Sequence, residues 1–194
     1  NENIIIDVLW LSSPDQVDFP NKIKARITCY DCMDNYSMFY PALKKPEEIL
    51  FSKADINFVS SNLLKKNAQK FSNSVKLVPN GVDHEHFSSV LNNDILMPKD
   101  LGIINRPYVG FYGNLGEWLD YSLIKNIANE VDCNIVLIGP VNALKAKEVI
   151  ELENVYYLGQ KKYSELPSYL AHINIWIIPF LDNDLTKAVD PVKV

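Results

Sequence analysis

Tyr108-Val109-Gly110-Phe111-Tyr112-Gly113-Asn114-Leu115-Gly116 reads as a short apolar strand running into a glycine-bearing turn. Upstream, Val78-Pro79-Asn80-Gly81-Val82-Asp83, with Phe87 close behind, ends an earlier strand in a similar turn. Between the two, from Phe87 to Arg106, the apolar pattern weakens, and Asn92, Asn93, Asp94, Pro98 and Gly102 mark a linker. The first turn closes a β-α-β series and the second opens a new one. Two such layers facing each other across a short linker form a cleft, and α/β proteins hold ligands at strand ends that border clefts.

Reading outward, strands are predicted at 4–11, 25–30, 55–60 and 75–78. Pro46-Glu47-Glu48 opens a helix that runs through Ala54, because proline and acids suit a helix start. Ser61-Asn62 can cap a helix over 63–70. After the linker, Leu119, Leu123, Ile124, Ile127 and Val131 fall on one helical face. Strands at 135–138, 155–158 and 173–178 end in Gly139-Pro140, Gly159 and Pro179. Helices are read over 143–152 and, capped by Ser164, up to Ala171. The strands are short and continuously apolar, as strands covered on both faces are. The expected fold is α/β: two doubly wound Rossmann-like units with mainly parallel sheets, both incomplete. The first covers residues 1–100 including the linker, and the second residues 101–194.

The chain has 194 residues, 47% apolar and 22% charged, an ordinary soluble composition. A net charge of −5 argues against a nucleic-acid surface, which needs clustered Lys and Arg. Lys65-Lys66 and Lys161-Lys162 read as solvated pairs. The longest strongly apolar stretch, 173–181, is about half of what a bilayer requires. No basic-then-apolar leader opens the chain, and with no initiator Met and no terminal helix we expect a partial segment. Three cysteines do not suggest a disulfide framework, so a cytoplasmic location is expected. Asn35-Tyr36-Ser37 matches a glycosylation sequon, a short pattern that chance also produces.

Four segments carry a resemblance to a known family. Val78 to Asp83 with Phe87 is similar to the signature that ends the amino-terminal domain of GT-B glycosyltransferases. Val109 to Leu115 resembles the first strand and glycine loop of their donor domain, and Val136-Leu137-Ile138-Gly139-Pro140 resembles its second strand. Val155 to Gly159, Leu166-Pro167 and Ile177-Ile178-Pro179-Phe180 resemble the run before the nucleotide-sugar site. The likeness spans nearly the whole chain and is nearest the family-4-like group that builds bacterial surface polysaccharides.

The resemblance implies transfer of a sugar from a nucleoside diphosphate to a glycan or lipid-linked acceptor at the inner face of the membrane. It implies retention of configuration, no catalytic metal and no cofactor beyond the nucleotide-sugar, with peripheral membrane association and no nucleic acid as partner. Glycine turns let a phosphate approach the backbone closely, and helix starts favour anions. The chain departs from the family where an Arg and a Lys often neutralise the diphosphate. Here Glu117-Trp118-Leu119-Asp120 follows Gly116, with Lys125 the nearest base. Pro191-Val192-Lys193 resembles the start of a P-x-K-x-x-E run, which makes Lys193 a donor-site candidate. The family's paired glutamates are not found before Val194, so activity is not expected of this segment alone.

Gly113, Asn114 and Gly116 are the first candidates for a ligand loop; the plain alternative is a tight turn without a ligand. Gly139, Pro140, Pro179 and Phe180 end neighbouring strands at the same edge, though Phe180 also suits a core. Trp118, Tyr121 and Trp176 could stack on a base or sugar; core packing or the domain interface is the default for Trp176, and Trp118, beside the loop, is the better candidate. Asp31 and Asp34 flank a strand end and could orient an acceptor hydroxyl or act as a base; Asp in turns also caps backbone N–H groups. Cys29-x-x-Cys32 lacks a second ligand pair and reads as buried thiols; His84 and His86 lack a partner cluster for a metal. Two rivals stand beside the transferase. Another nucleotide-binding enzyme is disfavoured because Gly113-Asn114-Leu115-Gly116 is not G-x-G-x-x-G. A non-catalytic scaffold draws on the acidic loop, since many functions share such folds.

Overall fold

The computed structural model describes residues 5–91 and 94–191. They form two compact units. The first holds residues up to 81 together with a returning segment from Asp182; the second holds 82–181.

In the first unit, β1 (Ile6–Leu11), β2 (Ala25–Cys32), β3 (Ile56–Val59) and β4 (Val75–Leu77) form a parallel sheet in sequential order. Helices α1 (Lys44–Lys53) and α2 (Asn62–Ala68) cover one face. There Leu9, Leu11, Tyr30, Leu50, Val59 and Leu64 are buried. Pro46 lies inside the first turn of α1, where its missing N–H costs nothing, so this helix starts two residues earlier than expected. Of the Ser61-Asn62 pair expected to cap α2, Ser61 is the cap, accepting from the Leu64 amide, and Asn62 is already helical. Both sheet faces were expected to be covered. Among the described residues the second face instead exposes Val8, Trp10 and Ile27, with Trp10 stacked on Phe58 at 5.0 Å. The returning segment buries Ala188 in this unit's core. Its Asp190 accepts from the Asn80 amide at 3.1 Å, which fixes the Pro79-Asn80-Gly81 turn.

One acid lies inside this unit. Glu47 of α1 is 8% exposed, and its Oε1 accepts from the Tyr30 hydroxyl at 3.3 Å and the Cys32 thiol at 3.5 Å. Burial pushes its carboxyl above the ordinary value, although the two donors oppose the shift. A carboxyl with a raised folded-state pKa holds its proton longer in the native state than in the unfolded chain. Stability therefore falls as pH rises from the unfolded carboxyl's value through the folded one. In urea melts across that window, wild type is expected to lose stability with rising pH, whereas Glu47→Gln shows a flatter profile. A steeper profile in the variant would contradict this.

The second unit begins before the second glycine turn. Leu101 and Ile104, from the stretch read as linker, are buried beside Tyr108, whose hydroxyl donates to the Ile104 carbonyl at 2.6 Å. Its strands are β5 (Tyr108–Tyr112), β6 (Asn134–Ile138), β7 (Val155–Tyr157) and β8 (Ile175–Trp176), all parallel, in the order β7-β6-β5-β8. The order steps outward from β5 to β7 and then returns to the other side of β5. Both faces are covered. Phe111, Ile135, Leu137 and Val155 pack with Ile124 of α3 (Tyr121–Glu130) and with Ala146 and Val149 of α4 (Leu144–Ile150). On the opposite face Tyr108, Val136 and Ile138 pack with Ile173 and with Tyr169 of α5 (Leu166–Leu170). Gly110 sits within β5 because a Cβ there would meet Ile173 and Trp176 at 2.8 Å.

Three local expectations change. The inward face of α3 is Tyr121, Ile124 and Ala128, while Leu123 and Val131 are exposed. The phase follows from Asp120, which caps the helix by accepting from the Leu123 amide at 3.0 Å. Only Ile175 and Trp176 of the last predicted strand pair with β5, since Ile173 turns into the core instead. Ser164 lies within a 3-10 turn rather than capping α5; the Glu165 carboxylate closes that turn on the Lys162 amide at 2.8 Å.

Candidate functional site

The strand order reverses at β5, and ligands of open α/β sheets bind beyond the carboxyl ends of strands at such a point. Beyond β5 and β6 in this unit lie the two glycines that the sequence singles out. Gly113 and Gly139 both adopt φ of 136°, a region that side chains rarely enter. Their backbones are in direct contact: a Cβ on Gly139 would sit 2.0 Å from the Gly113 carbonyl oxygen. The Gly113 amide donates to the Ile138 carbonyl at 2.8 Å, and the Gly139 amide to the Gly159 carbonyl at 2.9 Å. The Tyr157 hydroxyl donates to the Gly139 carbonyl at 2.8 Å. The strand ends are thus locked to one another by main-chain bonds.

The nine donor-side candidates separate into groups. Gly113, Asn114, Gly139 and Pro140 line a cavity of about 160 Å³ together with Tyr112, Gln160, Lys161 and Leu166. Asn114 Oδ1 is buried there and finds no hydrogen-bond donor among the described residues. Gly116, Trp118, Pro179 and Phe180 form an adjoining packed seam. The Trp118 ring lies on Gly116, where a Cβ would meet it at 2.5 Å. The Leu181 amide donates to the Trp118 carbonyl at 2.9 Å, and the Asp120 amide to the Pro179 carbonyl at 2.7 Å. Trp118 and Phe180 both pack on the unit's core. Lys193, the ninth, lies outside the described residues.

Lys161 is the residue that sequence reading passed over. Read as a solvated pair with Lys162, it is instead mostly buried, with its ammonium 2.6 Å from Asp100 Oδ2. The Tyr169 hydroxyl donates to Asp100 Oδ1 at 2.9 Å. Burial by itself would raise the Asp100 carboxyl; hydrogen bonds from Lys161 and Tyr169 outweigh it and hold the group below its ordinary value. Burial would likewise lower Lys161, but its bonds to Asp100 and Tyr169 raise it, so the ammonium stays charged. A cation therefore stands in the wall of the glycine cavity. Its partner lies 61 positions away, a distance that no local pattern reports.

The acidic loop is less hostile to an anion than its sequence suggests. The Asp120 carboxylate is taken up in capping α3, while Glu117 is exposed. The same cap occupies the start of α3 with the protein's own acid. Helix α4, which begins just past Gly139 and Pro140, has no side-chain cap at Ala143.

In the first unit, Asp31 is half-buried on β2, paired in register with Phe58, and Asp34 lies exposed just past the strand end. Partial desolvation raises the Asp34 carboxyl. Cys29 and Cys32 are buried, with both thiols raised by burial. His86 stacks on Tyr163 at 4.3 Å and its Nε2–H donates to the Tyr163 carbonyl at 2.9 Å, while Asp83 caps its helix. Among the described residues no helix is long and apolar enough to cross a membrane.

Comparison with known proteins places these features in context. No protein-family profile matches the chain. Over 163 residues it is 30% identical to the Bacillus subtilis protein TuaH, described as a teichuronic acid biosynthesis glycosyltransferase; the match covers 78% of this chain and 40% of that one. Its fold is shared with a sucrose-phosphate synthase from Thermosynechococcus elongatus at a TM-score of 0.71 and 12% identity, over 89% of this chain and 50% of that one. It is shared also with HepE from Anabaena, solved with UDP and glucose, at a TM-score of 0.67 and 16% identity, over 88% and 52%. The chain thus spans about half the length or less of the proteins that it matches. The resemblance to glycosyltransferases drawn from four motifs is found again in the sequence similarity to TuaH, and the α/β fold with its two parallel sheets is that of the structural neighbours.

Proposed function

We propose that this chain is part of a glycosyltransferase whose second unit binds a nucleoside-diphosphate sugar at the Gly113–Gly139 turns. The observation that carries this reading is the juxtaposition of two left-handed glycine backbones and the charged Lys161 around one cavity at the strand-order switch. Sugar transfer must stabilise a departing diphosphate. The glycines let it approach the main chain without side-chain obstruction, and Lys161 in the cavity wall offers charge. Lys161 takes the place of the cation that the acidic loop lacks. That TuaH is described as acting in teichuronic acid biosynthesis supports a bacterial surface polysaccharide as the product; a glycan or lipid-linked acceptor and transfer on the cytoplasmic side of a membrane belong to the same proposal. Retention of configuration without a catalytic metal or further cofactor belongs to the same reading, with Asp31 or Asp34 of the first unit meeting the acceptor hydroxyl.

Thermal unfolding with UDP, GDP, ADP, CDP and NAD tests the donor site. One nucleoside diphosphate is expected to raise the midpoint, by the equivalent of about 2.7 kcal/mol at a hundred times its dissociation constant. Lys161→Met should weaken that ligand about tenfold or more, as loss of a charged hydrogen bond does, and Gly113→Val should abolish the shift. A response to NAD alone, or a shift indifferent to both substitutions, would overturn the reading. Radiolabelled sugar transfer by the longer protein then separates an enzyme from a scaffold that binds donor without turnover.

A further inference from the structure

The first unit contains a larger cavity, about 530 Å³, that no part of the donor site touches. It opens between the loop after β2, helix α1 and helix α2, and Asp184 of the returning segment joins its wall. Its size falls within the range of about 300–1,000 Å³ typical of small-molecule sites. At its wall is Glu47, more than nine-tenths buried. Both donors to this carboxyl, Tyr30 and Cys32, bond Oε1. Among the described residues Oε2 has no hydrogen-bond partner and is not one of the sealed-off polar atoms, so it is the oxygen left for the cavity. A buried carboxylate anchored on one oxygen and unpartnered on the other calls for a hydroxyl or N–H from a ligand.

The rest of the lining narrows the chemistry. Phe71 is 39% exposed and stacks on buried Phe51 at 6.5 Å, which offers a flat apolar surface on a rigid backing. Asn67 accepts from Lys70 at 3.0 Å through Oδ1, leaving its amide N–H groups to donate. The lining carries three acids, Glu47, Glu48 and Asp184, against two bases, Lys44 and Lys70, so a phosphate or other anion is disfavoured. An uncharged ligand with an apolar face and a rim of hydroxyls satisfies the aromatic ring, the amide and the carboxylate together. We infer that this cavity is a saccharide-binding site, with Glu47 Oε2 accepting from a sugar hydroxyl and Phe71 carrying the ring's C–H face. The site is separate in sequence and chemistry from the glycine cavity and stands whether or not that cavity binds a nucleotide.

The test is amide NMR of the isotope-labelled chain titrated with glucose, galactose, N-acetylglucosamine and maltose, with glucuronate as the charged control and UDP as a probe of the other unit. At least one neutral sugar should shift the amides of Asn35, Glu47, Asn67 and Phe71 saturably, and glucuronate should bind more weakly. Glu47→Gln should weaken the sugar about tenfold or more, the factor that a lost charged hydrogen bond corresponds to. Phe71→Ala, on the rim of the cavity, should do the same. No saturable shift with any sugar, shifts that survive both substitutions, or shifts confined to residues around Gly113 and Gly139 would each overturn the proposal. Failure of UDP to bind would bear on the donor reading and not on this one.

Discussion

Gly139→Ala is expected to destabilise the second unit by roughly 3–5 kcal/mol, combining backbone strain with an overlap that cannot relax. Two causes act at once. The residue's φ of 136° is one that a side chain rarely adopts, and the new Cβ would lie 2.0 Å from the Gly113 carbonyl oxygen. That oxygen belongs to the main chain, held between β5 and β6, so it cannot swing aside as a flexible side chain would. Gly159→Ala is the control for strain alone. Its φ is 72°, but nothing lies within 4 Å of the added Cβ. It should lose only about 1–2 kcal/mol. Urea denaturation of the two variants checks both. Equal losses would mean that the two strand-end backbones are not in contact, and the glycine cavity would lose its structural basis. Domain stabilities of about 5–15 kcal/mol make the larger loss enough to unfold much of the population at moderate temperature.

The second large effect is Phe111→Ala, expected to cost about 3–5 kcal/mol as a buried aromatic deletion. Phe111 is 1% exposed on β5, the strand from which the order of the sheet reverses. Its ring packs within the cluster of Ile124, Leu137 and Val149, contributed by three other elements. Removing it leaves a void that fixed strands on either side cannot fill. Because Gly113 follows two residues later, the loss should also loosen the glycine turn and faster amide exchange should be seen at Gly113 and Gly139. Trp10→Ala makes the contrast. Trp10 is as large but 52% exposed, touching Phe58 in a single stack at 5.0 Å. Its removal should cost about 1 kcal/mol, near the value of one aromatic pair. A similar loss for both would contradict the burial described for β5.

Much of this was legible in the sequence. The strands around Phe111 and Ile135 are short runs of apolar residues, the pattern of strands covered on both faces, and helices do cover both faces of that sheet; the same pattern in β1 did not report that one face of its sheet is exposed. Gly113 and Gly139 are legible for a related reason: strand followed by glycine marks a backbone needing conformations closed to other residues. Local chemistry also placed the Ser61 cap. What failed locally did so through competition between equally local signals. Ser164 could cap a helix, but Glu165 reached the Lys162 amide first. Leu123 fits an apolar stripe, yet the Asp120 cap set the phase that points it outward.

The alternation of strand and helix, the two glycine turns and the likeness to sugar-transferring enzymes each rest on neighbours along the chain, and so can be read from it directly. That Lys161 is a held charge rather than a solvated one follows from folding alone, since Asp100 reaches it from 61 positions away. Only the fold, too, divided Gly113 and Gly139 at the cavity from Gly116, Trp118, Pro179 and Phe180 in the seam beside it. Glu47 shows the same limit. In sequence it is an acid at a helix start, where the dipole alone would explain it. Packing turns it inward against Tyr30 and Cys32 and leaves one oxygen to a cavity. Charge and burial are set by what the folded chain brings alongside a residue, and that information is spread over the whole molecule.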